Sequence, residues 1–249
     1  MADSTDSRLP IHYVVFDLFH TLVDPDAHRP EGFVRSYKIA EALGIAEADE
    51  FSRWWRRMEA QRHVNGSKRV VQYADEYLLE HTGRRCTREQ IDQISSIWGW
   101  MHDQALLKPQ DDVLSALRRL RERGVKLGLL SNIDEREAVN WASSPLSPLF
   151  DATCMSFQIG HSKPSREAYS YVLSKLGADA PSSAYVGDGN HDELRGAREA
   201  GFGLVVFMKG FVSREGERSP EAMRSRESVA DATIMSLDEL LGLLDRPRS

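Results

Sequence analysis

Six short apolar runs, none alternating with polar residues and most closed by turn-forming residues, limit what this chain can fold into. They span Ile11 to Phe16, Val125 to Leu130, Ala152 to Phe157, Ala184 to Val186, Leu204 to Phe207 and Ala232 to Met235. A strand with one wet face alternates; a continuously apolar strand is covered on both faces, as in a parallel sheet. Amphipathic helical patterns separate the runs. One carries Val113, Leu114, Leu117 and Leu120, with Asp111 and Asp112 as candidate caps and Gly124 as the stop. Another opens near Pro164, continues through Ala168, Val172, Leu173 and Leu176, and ends at Gly177; a third runs from about Asp192 to Gly201. The alternation predicts an α/β fold, a doubly wound parallel sheet of Rossmann type, with ligands at the carboxyl ends of the strands.

One stretch departs from that rhythm. Residues 25–108 contain no convincing strand but four helical patterns, Phe33 to Leu43, Ala48 to Arg62, Val70 to His81 and Arg88 to Leu106. The expected division is a disordered tail at 1–10, an α/β core from 11–24 and 109–249, and an all-α cap at 25–108 hanging over the sheet's carboxyl edge. Ser213 to Ser228 reads as a solvated loop with a frayed helix. With 41% apolar and 28% charged residues, the composition is that of a soluble globular protein. A formal charge of −6 gives no general attraction to nucleic acid or anionic lipid. No apolar run approaches the roughly 20 residues that span a bilayer. Cys86 and Cys154 are too few and too far apart for a disulfide framework, so a cytoplasmic location is expected.

The chemistry-bearing residues stand at the strand ends. The first run is followed by Asp17, and the second by Ser131 and Asn132, whose hydroxyl and amide suit a substrate oxygen. Beyond the third, Lys163 precedes a helix, where a cation would neutralise developing negative charge. The fourth ends GDGNHDE, placing Asp188 and Asp192 four residues apart with Gly187 and Gly189 for a tight backbone. Each type alone is as well explained by caps, turns and solvated surface. Carboxylates brought together would repel, and a hard divalent cation such as magnesium accounts for the set.

With these segments in view the chain resembles the haloacid dehalogenase superfamily over nearly its whole length. DLFHTLVD is similar to that family's first motif, LLSN to the second, Lys163 in SKPSREAY to the third and GDGNHDE to the fourth, and the insert falls where the family carries a cap. The resemblance implies a Mg2+-dependent hydrolase. Asp17 would be the nucleophile, Ser131 a donor to substrate oxygen, Lys163 the charge stabiliser, and Asp17, Asp188, Asp192 and the backbone carbonyl of Phe19 the metal ligands. Asn132, Thr21 and His20 are expected to meet the substrate from the core.

Phe19 departs from the family. Phosphatases of this superfamily place there a second Asp that protonates the leaving oxygen; phenylalanine has no proton to give, and such catalysis is worth roughly 10²–10⁴-fold. His20 is a candidate replacement. Three readings follow. The first is a phosphatase of a small phosphorylated metabolite through an aspartyl-phosphate. The second is a 2-haloacid dehalogenase using an ester on Asp17, since departing halide needs no proton. The third is a catalytically retired protein that binds a metabolite or partner. The Gly187–Asp188 start of the fourth motif favours the first. In the insert, FSRWWRRMEAQRH offers Arg53, Arg56 and Arg57 as a clamp for a second anionic group, with Trp54, Trp55, Trp98 and Trp100 as apolar wall or bundle core. The expected partner is a small anionic molecule rather than nucleic acid or membrane, and the expected assembly a monomer or homodimer.

Overall fold

The computed structural model describes residues 10–64, 66, 68–211 and 219–245. Its core is a six-stranded sheet, β1 (Tyr13–Phe16), β2 (Lys126–Ser131), β3 (Ala152–Met155), β4 (Ser183–Gly187), β5 (Leu204–Met208) and β6 (Ala232–Ile234). The spatial order is β3-β2-β1-β4-β5-β6, and every pairing is parallel. The doubly wound expectation holds. Strand order reverses at β1, flanked by β2 on one side and β4 on the other, so the ligand crevice of such a sheet opens at the end of β1. Val14, Val15 and Phe16 are fully buried because helices cover both faces, and this is why the strands read as unbroken apolar runs.

Between β1 and β2 the described residues form no further strand of the sheet, and the insert carries α1 (Arg35–Leu43), α2 (Ala48–Arg57), α3 (Glu59–Val64), α4 (Val70–Thr82) and α5 (Arg88–Leu107). They bury a cluster of their own from Ile39, Phe51, Trp55, Tyr73, Leu78, Ile94 and Trp98. Thr87 caps α5, its hydroxyl accepting from the Gln90 amide while the Gln90 side chain returns to the Thr87 N–H. The helix expected over Ala48 to Arg62 is instead two, α2 and α3, separated at Met58.

The remaining helices are α6 (Asp111–Glu122), α7 (Ser156–Ile159), α8 (Arg166–Leu176), α9 (Glu193–Glu199), α10 (Pro220–Val229) and α11 (Leu237–Leu244). The strand expected to reach Phe157 ends at Met155, since α7 begins at Ser156. Of the stretch read as a solvated loop with a frayed helix, Pro220 onward is helical as α10, and 212–218 lie outside the described residues. Among the described residues no helix is long and apolar enough to cross a membrane.

Helix α5 is fastened to the segment that follows β2. Trp98 donates its indole N–H to Asp134 at 2.7 Å. Arg136 grips Asp103 with both guanidinium nitrogens at 2.9 and 2.6 Å and donates through Nε to the Ser95 carbonyl. Gly99 makes room for this: a Cβ there would collide with the Arg136 guanidinium. The Glu135 carboxylate accepts from the Val70 amide at 2.8 Å, at the start of α4.

Candidate active site

Asp17 follows β1 at the switch point and is buried. Lys163, from the segment before α8, reaches it: Nζ donates to Asp17 Oδ1 at 2.6 Å, to Glu193 Oε2 at 2.5 Å and to the Tyr185 hydroxyl at 3.1 Å. Tyr185 in turn donates to Glu193 Oε2 at 2.7 Å, and the Gly189 amide donates to Glu193 Oε1 at 2.9 Å. Asp188, fully buried, completes the group; oxygens of Asp17, Asp188 and Glu193 lie within 4.8 Å of one another. Three buried carboxylates therefore stand together, two of them bonded to one ammonium.

The electrostatics follow from burial. Desolvation lifts Asp17 to about 6 from 3.8; Lys163 opposes this, while Glu193 and Asp188 add to it. Burial acts against the Lys163 charge too, but Asp17 and Glu193 together hold the ammonium above its usual range. Glu193 is also buried, yet Lys163, Tyr185 and Gly189 keep it below the usual carboxylate range. Of the two carboxylates sharing Lys163, Asp17 is thus the one that takes up a proton.

Asp192, expected beside Asp188 as a metal ligand, is placed elsewhere. It is exposed and pairs with Arg195 at 3.0 Å. Residues 191 and 192 both adopt left-handed backbone, φ 52 and 54, which turns the Asp192 side chain outward and brings Glu193 into the pocket. Gly187 permits this, because a Cβ there would collide with the Glu193 carboxylate. Two consecutive non-glycine residues in the left-handed region are not foreseeable from residue spacing.

Asn132 is committed to the protein. Its amide donates to the Lys163 carbonyl at 2.9 Å and accepts from the Lys163 N–H at 2.8 Å, so it positions the lysine's backbone. Thr21 is fully buried and its hydroxyl lies 3.5 Å from Asp17 Oδ2, an orienting contact on the carboxylate. Ser131 is buried at the tip of β2 and lines the cavity in front of Asp17. His20 also lines it, its ring nitrogens 3.6 and 3.7 Å from Asp24 and Asp26. The Phe19 ring packs on His102 with centroids 4.5 Å apart, and burial keeps the His102 imidazole neutral, well below its usual range.

The cavity, about 340 Å³, lies between the sheet's carboxyl edge and the inserted helices. Of the three arginines expected as a clamp, Arg56 lines it, Arg57 lines an adjoining cavity, and Arg53 is exposed and lines neither. The arginine that sequence reading missed is Arg62. It is buried, with its guanidinium 4.6 Å from the Trp55 ring and 5.0 Å from the Trp98 ring, and it donates to the Trp55 carbonyl at 2.7 Å. Arg35 covers Trp98 at 4.6 Å. Trp55 and Trp98 thus serve both as bundle core and as cavity wall.

A parallel α/β sheet with a carboxylate–ammonium cluster at its switch point defines a class, that of the hydrolases built on a doubly wound core. Residues 11–201 match the haloacid dehalogenase-like hydrolase family, and the chain belongs to it. Over 141 residues it is 29% identical to the glyceraldehyde 3-phosphate phosphatase of Methanocaldococcus jannaschii, a stretch covering 56% of this chain and 58% of that one. The match thus spans little more than half the length of that curated relative. The (S)-2-haloacid dehalogenase of Pseudomonas fluorescens is 24% identical over 247 residues, 92% of this chain and 99% of that one. Among solved structures, a HAD phosphatase from Thermococcus onnurineus superposes with a TM-score of 0.61 at 20% identity, covering 96% of this chain and 100% of that one.

Proposed function

We propose that the chain is a divalent-cation-dependent phosphohydrolase that transfers the phosphoryl group of a small anionic phosphomonoester to Asp17 and then to water. The observation that carries this is the charge balance of the site, where the buried carboxylates of Asp17, Asp188 and Glu193 cluster and the one ammonium, Lys163, pairs with Asp17 and Glu193 alone. Buried like charges without compensation are costly, and a hard cation relieves them with the oxygen ligands it prefers. Asp17 and Asp188, with the Phe19 carbonyl, would hold Mg2+; Glu193, whose oxygens already accept from Lys163, Tyr185 and Gly189, serves chiefly to anchor the lysine. When bound, the ion neutralises and orients the phosphoryl oxygens.

The chain's own residues do the rest. Lys163 and Thr21 hold the Asp17 carboxylate in place for in-line attack on phosphorus. As the Asp17–phosphorus bond forms, the bond to the leaving oxygen breaks and that oxygen takes its proton from water, with Lys163 and Ser131 stabilising the charge on the phosphoryl oxygens. Water then cleaves the aspartyl-phosphate and releases phosphate. The helical insert acts as a cap that excludes bulk water, and Arg62 and Arg35 offer a cationic, aromatic-backed wall to a second anionic group of the substrate.

Phe19 and the near full-length likeness to a dehalogenase support a second reading, displacement of halide by Asp17, which needs neither a proton donor nor a metal. One panel separates the two: phosphomonoesters and 2-haloacids, each assayed with Mg2+ and with EDTA. Phosphate release lost on chelation supports the first reading; halide release indifferent to EDTA refutes it. Metabolite binding without turnover refutes both.

A further inference from the structure

We propose that Glu59, His63 and His191 form a transition-metal site of the zinc class that ties helix α3 to the loop after β4 at the edge of the cavity. Glu59 and His63 are four residues apart on α3 and so project from the same side of the helix. His191 approaches from the loop between β4 and α9. One ligand atom from each of the three lies within 4.8 Å of the other two. Around a zinc ion with bonds of about 2.1 Å, tetrahedral ligand atoms stand roughly 3.4 Å apart, so the cluster needs only a modest contraction.

Its members suit that contraction. His63 is buried, while the side chains of His191 and Glu59 are 41% and 43% exposed and have room to shift. Glu59 and His191 already approach each other at 3.7 Å, and the two imidazoles meet edge to face with centroids 5.9 Å apart. Burial, aided by the neighbouring His191, Arg62 and Lys163, pushes His63 down to about 3, so its ring carries the lone pair a metal needs.

Two imidazoles and one carboxylate select zinc-like ions over magnesium, which prefers oxygen ligands; the Asp17–Asp188 cluster has the opposite preference. Three protein ligands leave a fourth position open, as in zinc sites that accept water or substrate. Space exists for it, because all three residues line both the cavity in front of Asp17 and the adjoining cavity of about 460 Å³. An ion here would join the inserted helices to the core. This site is independent of which leaving group Asp17 displaces.

The test uses the full-length chain, stripped of metal and then kept in millimolar Mg2+ to fill oxygen sites. Zinc is titrated by calorimetry, and Co2+ by its visible absorption, which is strong for four-coordinate nitrogen–oxygen sites and weak for six-coordinate oxygen sites. The proposal expects one saturable Zn2+ per chain and an intense Co2+ spectrum, both retained in Asp188→Asn. His191→Ala, on an exposed side chain and checked for folding by circular dichroism, should weaken zinc binding by more than the roughly 10–100-fold that loss of an outer-shell partner produces. His63→Ala and Glu59→Gln should weaken it as well. Zinc binding that survives His191→Ala, or that disappears in Asp188→Asn, overturns the proposal, as does the absence of saturable binding in the unaltered chain.

Discussion

Replacing Lys163 by methionine, which keeps the length of the side chain but removes its charge, tests the electrostatics of the site. With the lysine present, burial and the neighbouring carboxylates lift Asp17 from 3.8 to about 6, which costs the folded state about 3 kcal/mol once the group is ionised. Without the lysine, the upper limit on the penalty is set by proton uptake on Asp17. At pH 8 that limit is close to 6 kcal/mol, about 3 kcal/mol beyond the native cost. Near pH 5.5 Asp17 is largely protonated in both proteins, and its share of the difference shrinks toward zero, leaving the smaller cost of the lost Glu193 partner. The sign follows from linkage: a carboxylate whose folded pKa is raised takes up a proton on folding, so stability falls as pH rises from its unfolded toward its folded value. Urea denaturation, without added divalent ions, should therefore find Lys163→Met less stable than the native chain at pH 8, with Asp17 contributing up to about 3 kcal/mol. That corresponds to about 6–12 °C in melting temperature for a chain of this size. A deficit of equal size at both pH values, or none at pH 8, would refute the reasoning. In the first case the lysine acts through packing alone; in the second its charge compensates nothing.

Other outcomes follow from the same geometry. Asp17→Asn should abolish turnover while leaving the circular dichroism spectrum close to native; retained activity would mean that another group attacks. A ¹³C NMR titration of Asp17 in chelator-treated protein should show a midpoint near 6 that Mg2+ moves downward, and a midpoint near 4 indifferent to Mg2+ would contradict a cation shared with Asp188. Gly187→Ala should displace the Glu193 carboxylate from Lys163 and cut kcat with little change in KM, read by steady-state kinetics. Arg62→Met keeps the stack between Trp55 and Trp98 but loses the charge; its KM should rise several-fold for substrates with a second anionic group and stay unchanged for those without one.

How legible the protein is from its residues varies with distance along the chain. The core strands are readable because their burial on both faces removes alternation, and the positions of Asp17, Ser131, Lys163 and Asp188 follow once each is seen to end or follow an apolar run. The inserted helices are readable from their period and from the absence of strand patterns. Glu193 is not, because its entry depends on the left-handed backbone at 191 and 192, and a spacing rule alone prefers Asp192. Arg62 is hidden for a different reason. Its burial rests on stacking against Trp55 and Trp98, a tertiary arrangement that local pattern cannot supply, and the helix break at Met58 falls in a run of good helix formers. Asn132, polar and at a strand tip, has the chemistry of a substrate ligand but is already occupied by the backbone of Lys163.

The anchoring of α5 by Trp98–Asp134 and Arg136–Asp103 has a mechanical consequence. Asp134 and Arg136 stand only three and five residues beyond Ser131, so the tip of β2 and the roof of the cavity belong to one short tether. Swinging the roof away would pull on the serine and bare a half-buried ion pair, so large excursions are expensive. Residues of α5 remote from Asp17 are thereby coupled to Ser131 through that tether.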